Sequence, residues 1–373
     1  MFRPRLPAAL SVLILICLLV SLFTRLVFSE GDVGVSARSA ALYEPTTATY
    51  IYEKNGDMRL PMASTTKIMT ALVALENGNP DEVVTVPPEA VGIEGSSLYL
   101  REGEKITLGD LLYGLMLRSA NDAATAIAVT VGGTQENFVR MMNEKAEELG
   151  LSDTHFENPH GLDAETHYTT AKELAALSAA AMENEKFRML VSTRKKIIGE
   201  GDSARLIVNH NKMLLLYDGA VGVKTGFTKK SGRCLVSAAE RDGVLLIAVT
   251  IAAPDDWRDH TRLLDEGFSR VERRTVAADG EMTFNVPVIG GTAERVPVHN
   301  VGDISFICPK DEVPYRTDVR LCRFTATPVK KGDILGSVLV FREEKLWKTV
   351  PLYAAEDVPE AKKESSFFGI FGK

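Results

Sequence analysis

Between residues 35 and 268 short apolar runs alternate with longer stretches in which apolar side chains recur every three or four positions, the pattern of strands interleaved with helices. Runs rich in Val, Ile and Ala predict strands over 48–53, 219–224, 234–240 and 244–252. The helical spacing predicts helices over 65–76, 108–116, 122–131, 136–149 and 170–182. Asn77 and Gly78 close the first of these with residues suited to a left-handed cap. No segment repeats at a fixed period, so a solenoid or propeller is excluded. Beyond about Arg273 the runs shorten and turn β-rich, at 284–289, 320–327 and 336–341, broken by Gly, Pro and Asp. The pattern predicts an α/β (α+β) domain over 33–272, a small all-β domain over 275–354 and a linker and tail over 355–373.

Composition narrows the class. The chain has 373 residues, 45% hydrophobic and 25% charged, which describes a folded protein rather than a disordered one. Lys plus Arg number 43 against 50 Asp plus Glu, a net charge of −7, so no overall basic field exists to hold nucleic acid. The four cysteines, Cys17, Cys234, Cys308 and Cys322, form no C-x-x-C pair, which excludes a disulfide framework and a zinc cluster of cysteines. Cys308 and Cys322 could be bridged or be two buried thiols, and the spacing does not choose. Arg3 and Arg5 precede an apolar run over 6–23, which predicts export, with 1–32 acting as a cleaved signal or as an anchor. Ile16 is too bulky for Cys17 to suit a lipidation signal. The tail over 362–373, with lysines and then Phe367, Phe368, Ile370 and Phe371, fits a weak interfacial anchor as well as a frayed end.

Three short motifs carry candidate chemistry. In Ser64-Thr65-Thr66-Lys67 a hydroxyl and an amine lie three residues apart, about one helical turn, where the amine can take the hydroxyl proton. Alone the pattern is commonplace, and Ser192-Thr193-Arg194-Lys195 matches it equally well. Ser119-Ala120-Asn121 falls where one predicted helix yields to the next, as a polar inter-helix turn or an ordinary N-cap. Lys224-Thr225-Gly226 ends a strand, where a lysine, a hydroxyl and a glycine permit an anionic peptide end to add along the edge. Lys230-Ser231-Gly232 fits that pattern too but reads as the turn between two strands.

The conjunction, S-x-x-K, then S-x-N, then K-T-G, within one α/β domain on an exported chain, resembles the active-site set of penicillin-binding proteins and serine β-lactamases. Through Pro61 to Lys67, Leu111 to Met116, Ser119 to Ala124, Asn158 to Leu162 and Gly222 to Thr228, the chain resembles the low-molecular-weight penicillin-binding proteins that act as D-alanyl-D-alanine carboxypeptidases. That likeness implies a transpeptidase-like fold with an antiparallel sheet, peptidoglycan stem peptides as substrate and β-lactams as covalent inhibitors. It implies Ser64 as nucleophile, Lys67 as general base, Ser119 as proton relay and Asn121 as holder of the substrate amide. Lys224 would lower the pKa of Lys67, Gly226 would let backbones approach, and the backbone N–H groups of Ser64 and Phe227 would form the oxyanion hole. Thr225 and an arginine, for which Arg258 is the candidate, would grip the terminal carboxylate. Neither cofactor nor metal is expected.

Two departures stand out. Some family members carry an arginine where this chain has Asn209-His210-Asn211, and a histidine where it has Phe227. A β-lactamase reading would need a carboxylate such as Glu157 to activate water, yet the following Asn158-Pro159-His160-Gly161 is not the expected setting. A non-catalytic wall-binding or drug-sensing module would tolerate loss of motif residues, and none is lost. A zinc site from His160, Asp163 and His167 lacks an H-E-x-x-H pattern or a comparable set.

Overall fold

The computed structural model describes residues 33–311, 314–342 and 344–362. The export segment and nearly all of the proposed tail lie outside these residues. Among the described residues no helix is long and apolar enough to cross a membrane. The chain divides into two compact units that meet at Ser269 and Arg270.

The first unit is built on strands β1 (Ser39–Glu44) and β2 (Thr49–Lys54), followed by helix α1 (Lys67–Asn77). The short pair β3 (Val83–Thr85) and β4 (Lys105–Thr107) leads into α2 (Leu108–Tyr113), α3 (Asn121–Gly132), α4 (Gln135–Glu148), α5 (Ala171–Glu183) and α6 (Glu185–Ser192). A hairpin of β5 (Lys195–Ile198) and β6 (Arg205–Val208) and the short α7 (Met213–Leu216) precede β7 (Ala220–Thr228), β8 (Gly232–Arg241), β9 (Val244–Ile251) and α8 (Asp256–Arg270). The main sheet is antiparallel, in the order β2-β1-β9-β8-β7, so the strand bearing Lys224, Thr225 and Gly226 is its edge.

Both faces of the sheet are covered, which is why β9 reads as a continuous apolar run rather than an alternating one. Val236, Ala238, Ile247 and Val249 join the core shared with α1, α3, α5 and α6. On the opposite face α8 packs so closely that a Cβ on Gly267 would lie 2.6 Å from a Leu246 methyl and 2.7 Å from a Leu42 methyl. Buried His260 ties α8 to the sheet through Ser237 Oγ at 2.8 Å and Thr250 Oγ1 at 2.9 Å. Burial pushes its pKa down to about 3, so the ring is neutral.

The second unit is all β. Its strands are β10 (Val271–Ala277), β11 (Thr283–Ile289), β12 (Arg295–Asn300), β13 (Ile304–Pro309), β14 (Tyr315–Leu321), β15 (Thr325–Ala326), β16 (Ile334–Arg342) and β17 (Lys345–Ala354). They form a six-stranded sheet β14-β16-β17-β12-β11-β15 and a pair β10-β13 around Val286, Val296, Val298, Val338 and Leu352. Cys308 is buried and Cys322 exposed, and both are free thiols, so the bridge left open by the sequence is not formed.

Several elements differ from the expectations. Strand β1 goes unpredicted because Ser-Ala-Ala has low strand propensity, yet Ala40 and Ala41 are wholly buried where only small side chains fit beneath helices. Helix α8 is largely polar, and of its buried residues only Leu263 and Leu264 carry apolar side chains. Gly78 is not left-handed but extended, with φ −117°. Glycine is needed there for space, since a Cβ would lie 2.6 Å from a Leu108 methyl.

Residues 34–37 are fastened to the first unit as soon as the chain enters it. The buried Asp259 carboxylate accepts from Ser36 N at 2.9 Å, Ser36 Oγ at 2.7 Å and Ala37 N at 3.1 Å. Asp259→Ala is expected to strip these donors of their partner and to destabilise the first unit by about 2–4 kcal/mol, read as a lower urea midpoint.

Candidate active site

The helix carrying Lys67 starts two residues later than predicted, because residues Ala63–Thr66 form a 3₁₀ turn before α1. Ala63 takes a positive φ of 47° to make this turn. A buried chain of hydrogen bonds holds it in that conformation. Glu157 N donates to His167 Nδ1 at 3.0 Å, so the neutral ring carries its proton on Nε2 and donates to Thr66 Oγ1 at 2.7 Å. Thr66 Oγ1 in turn donates to Ala63 O at 2.8 Å. Burial pushes His167 down to about 4, which keeps this tautomer uncharged at neutral pH.

Ser64 and Lys67 meet as their spacing predicted, with Lys67 Nζ 2.8 Å from Ser64 Oγ. Lys67 is fully buried, and its remaining donors reach Asn121 Oδ1 at 2.7 Å and the carbonyl of His160. Burial pushes its pKa well below the ordinary lysine value, and nearby Lys224 pushes it further the same way. Two oxygens, from Asn121 and His160, therefore aim the amine at the serine hydroxyl.

The loop supplying that carbonyl is pressed against the 3₁₀ turn. A Cβ on Gly161, at φ +88°, would fall 2.0 Å from Ala63 O, so no other residue fits. Asn158 Oδ1 accepts from Gly161 N at 2.7 Å, and Thr70 Oγ1 donates to Pro159 O at 2.6 Å, fixing the loop to α1. Both nitrogens of His167 are used in this scaffold, and Asp163 accepts from Thr228 Oγ1 at 3.0 Å. The Glu157 carboxylate is taken by the backbone and hydroxyl of Thr166.

Ser119 follows a π-helical turn, Gly114–Arg118, that ends α2, and itself adopts φ 62°. Asn121 is the first residue of α3 and not its cap. Its Oδ1 faces Lys67 and its Nδ2 donates to Glu94 O at 2.6 Å, so its amide serves the lysine and the 94–96 loop. Lys224 is 1% exposed, donates to Thr225 O at 2.8 Å, and is pushed by burial down to about 7. Gly226 packs β7 against the 3₁₀ turn, with a Cβ there 3.1 Å from Ser64 N.

Ser64, Ser119, Thr225, Gly226 and Phe227 line one cleft of about 420 Å³. Its other walls come from Ser96, His210, Lys212, Arg233, Asp256 and Trp257, none of which the sequence singled out for a role in the site. Arg258 is not among them. Its guanidinium, on α8 and 68% exposed, lies 3.6 Å from Asp255 just before the helix. The arginine that does reach the cleft is Arg233, opposite Phe227 in the β7–β8 ladder. It donates to buried Asp256 at 2.7 Å and sits over the Trp257 ring. Its signal was the strand pairing, which carries a β8 side chain to the K-T-G end of β7. The look-alike motifs separate here as well: Ser192 ends α6 with its hydroxyl on Arg188 O, and Ser231 lies in the β7–β8 turn, bonded to Thr228.

Comparison with known proteins follows the same two units. The D-alanyl-D-alanine carboxypeptidase family's sequence model matches residues 27–255, and that of the penicillin-binding protein 5 C-terminal domain matches 272–360. The chain is 30% identical over 342 residues to D-alanyl-D-alanine carboxypeptidase DacF of Bacillus subtilis (strain 168), covering 89% of this chain and 88% of that protein. It is 38% identical over 244 residues to a D-alanyl-D-alanine carboxypeptidase of Streptomyces sp. (strain K15), covering 60% and 84% respectively. The solved structure of penicillin-binding protein 5 from Haemophilus influenzae superposes with a TM-score of 0.65 at 26% identity, covering 90% of this chain and all of that one.

The two lysines set a pH dependence. Burial holds Lys67 well below the ordinary lysine value, so its amine is freed at lower pH than an exposed lysine's, whereas the Lys224 ammonium discharges above about 7. Acylation of Ser64 by a carboxylate-bearing acyl donor is therefore expected to be fastest near pH 7 and to decline on the alkaline side. An ordinary lysine base would instead raise the rate about tenfold per unit up to pH ~10. A stopped-flow rate profile distinguishes the two.

Proposed function

The chain belongs to the D-alanyl-D-alanine carboxypeptidase family, and on that premise we propose that Ser64 is the nucleophile with which it removes the terminal D-alanine of peptidoglycan stem pentapeptides. The carrying observation is the buried Lys67 amine, 2.8 Å from Ser64 Oγ, in a cleft that also contains Ser119 and Thr225. Lys67 takes the Ser64 proton as Oγ attacks the carbonyl between the two D-alanines. The backbone N–H groups of Ser64 and Phe227 receive the developing oxyanion, a placement favoured by the close packing of Gly226 on the 3₁₀ turn. Ser119 passes the proton from Lys67 to the leaving amine, D-alanine departs, and water hydrolyses the ester to regenerate Ser64.

Asn121 acts through Lys67, as a positioning residue for the base. The terminal carboxylate falls to Thr225 and Arg233, with Lys224 supplying positive field behind them, and Asp256 holds the guanidinium in place. Phe227, 66% exposed at the cleft, governs access and contributes its backbone to the chemistry. The β-lactamase alternative is not favoured, since the Glu157 carboxylate is committed to Thr166.

The enzyme acts outside the cytoplasm on the cell wall, with stem peptides as substrates and β-lactams as covalent inhibitors. We further infer that the apolar N-terminal segment behind Arg3 and Arg5 exports it and that this segment and the Phe-rich tail hold it at the membrane surface.

Incubation with benzylpenicillin is expected to give a persistent adduct by intact mass, absent in Ser64→Ala, together with D-alanine release from a pentapeptide. Rapid drug loss without an adduct would restore the β-lactamase reading. Arg233→Ala is expected to lower kcat/KM for the pentapeptide by about 10–100-fold, the loss of a charged hydrogen bond, and Arg258→Ala to change it by less than about twofold.

A further inference from the structure

Beside the carboxylate grip, the cleft holds a second positive group with no assigned partner. Arg233 is paired with Asp256 at 2.7 Å. Lys212 also lines the cleft, and among the described residues its ammonium makes no hydrogen bond or ion pair. The loop that carries it is rigidly held. His210 N donates to Leu117 O at 3.1 Å, Asn211 N to Asn209 Oδ1 at 2.9 Å and Met213 N to Asn211 Oδ1 at 3.1 Å. The loop is thereby fixed beside the turn that presents Ser119.

His210 stands next to Lys212 on the same wall. Arg118 Nη1 approaches His210 Nε2 at 3.2 Å, and because arginine can only donate, Nε2 accepts and Nδ1 carries the proton. Burial, with Lys224 and Arg118 adding to it, holds the ring below its ordinary pKa and therefore neutral at neutral pH. This wall thus offers an unpaired ammonium and a neutral imidazole whose other nitrogen is held by Arg118, on a chain whose net charge is −7. Such an arrangement suits an anion in addition to the one held by Thr225 and Arg233.

We propose that Lys212, with His210 beside it, forms a second anionic subsite that recognises a carboxylate carried by the substrate elsewhere than at its terminus. The enzyme would then prefer peptides with a further acidic group on the acyl-donating side or on the leaving residue. The inference rests on the D-alanine-releasing reading above. An exposed ammonium paired with a carboxylate in water contributes little, so the preference should be modest, roughly fivefold at low salt, and should fade as salt approaches ~1 M.

Two pairs of synthetic peptides test it with the full exported chain. In one pair, the residue before D-Ala-D-Ala bears either a neutral acetylated side chain or a side-chain carboxylate. In the other, the leaving residue is D-alanine or D-glutamate. One pair is expected to show the preference in kcat/KM, identifying which side of the bond the subsite reads. The ratio should fall towards one in Lys212→Ala and invert in Lys212→Glu, with benzylpenicillin adducts on both variants confirming an intact site. Ratios of one in both pairs, or a preference that persists without change in Lys212→Ala, overturn the subsite while leaving the carboxypeptidase assignment standing. Failure to cleave any peptide overturns that assignment and the subsite with it. If a variant does not acylate, the salt dependence of the unsubstituted chain decides: a ratio insensitive to salt overturns the proposal.

Discussion

The site depends on one constraint, a lysine amine buried without a carboxylate bonded to it. Lys67 is sealed under the serine turn and satisfied by a hydroxyl, an amide oxygen and a backbone carbonyl, all of them uncharged. An ammonium there would give up its hydration without an ion pair in return, so the neutral form is favoured and the group becomes a base. A carboxylate hydrogen-bonded to it would restore the proton and remove that ability. The surrounding architecture consists largely of means to supply neutral oxygens at the right places.

Each oxygen comes from a different part of the chain. Ser64 is held by the 3₁₀ turn, Asn121 by the start of α3, and the His160 carbonyl by a loop fastened to α1 through Thr70. Gly161 permits that loop to touch Ala63, and Gly226 permits the edge strand to approach the same turn from the other side. The turn is thus clamped between two glycines, where a methyl group on either would push the serine from the amine. Positive φ at Ala63, next to Ser64, and at Ser119 is local strain at the cleft, held in place by the packing around it.

The cleft charges follow a similar division. Behind the surface, burial weakens the charges of Lys67 and Lys224; at the rim, Arg233 is steadied by Asp256 and Lys212 is left open. Charge is thus graded from buried amines to an anchored cation to a free cation.

The three motifs were legible in the sequence because each is local. Ser64 and Lys67 lie one turn apart, Ser119 and Asn121 flank a single helix start, and Lys224, Thr225 and Gly226 share one strand, so short-range geometry alone puts each set on one surface. The helices with a clear apolar period were legible for the same reason. What the sequence could not show was set by pairing and contact between distant segments. Arg233 enters the cleft because β8 pairs with β7, and Arg258 misses it because it lies on an exposed part of α8. The role of His160 is played by a backbone carbonyl, which leaves no mark on residue identity. Strand β1 and helix α8 escaped because small or polar residues become buried only once the sheet has a helix on each face. Sequence determined which groups could react; the tertiary fold decided which of them lost their water and which stayed at the rim of the cleft.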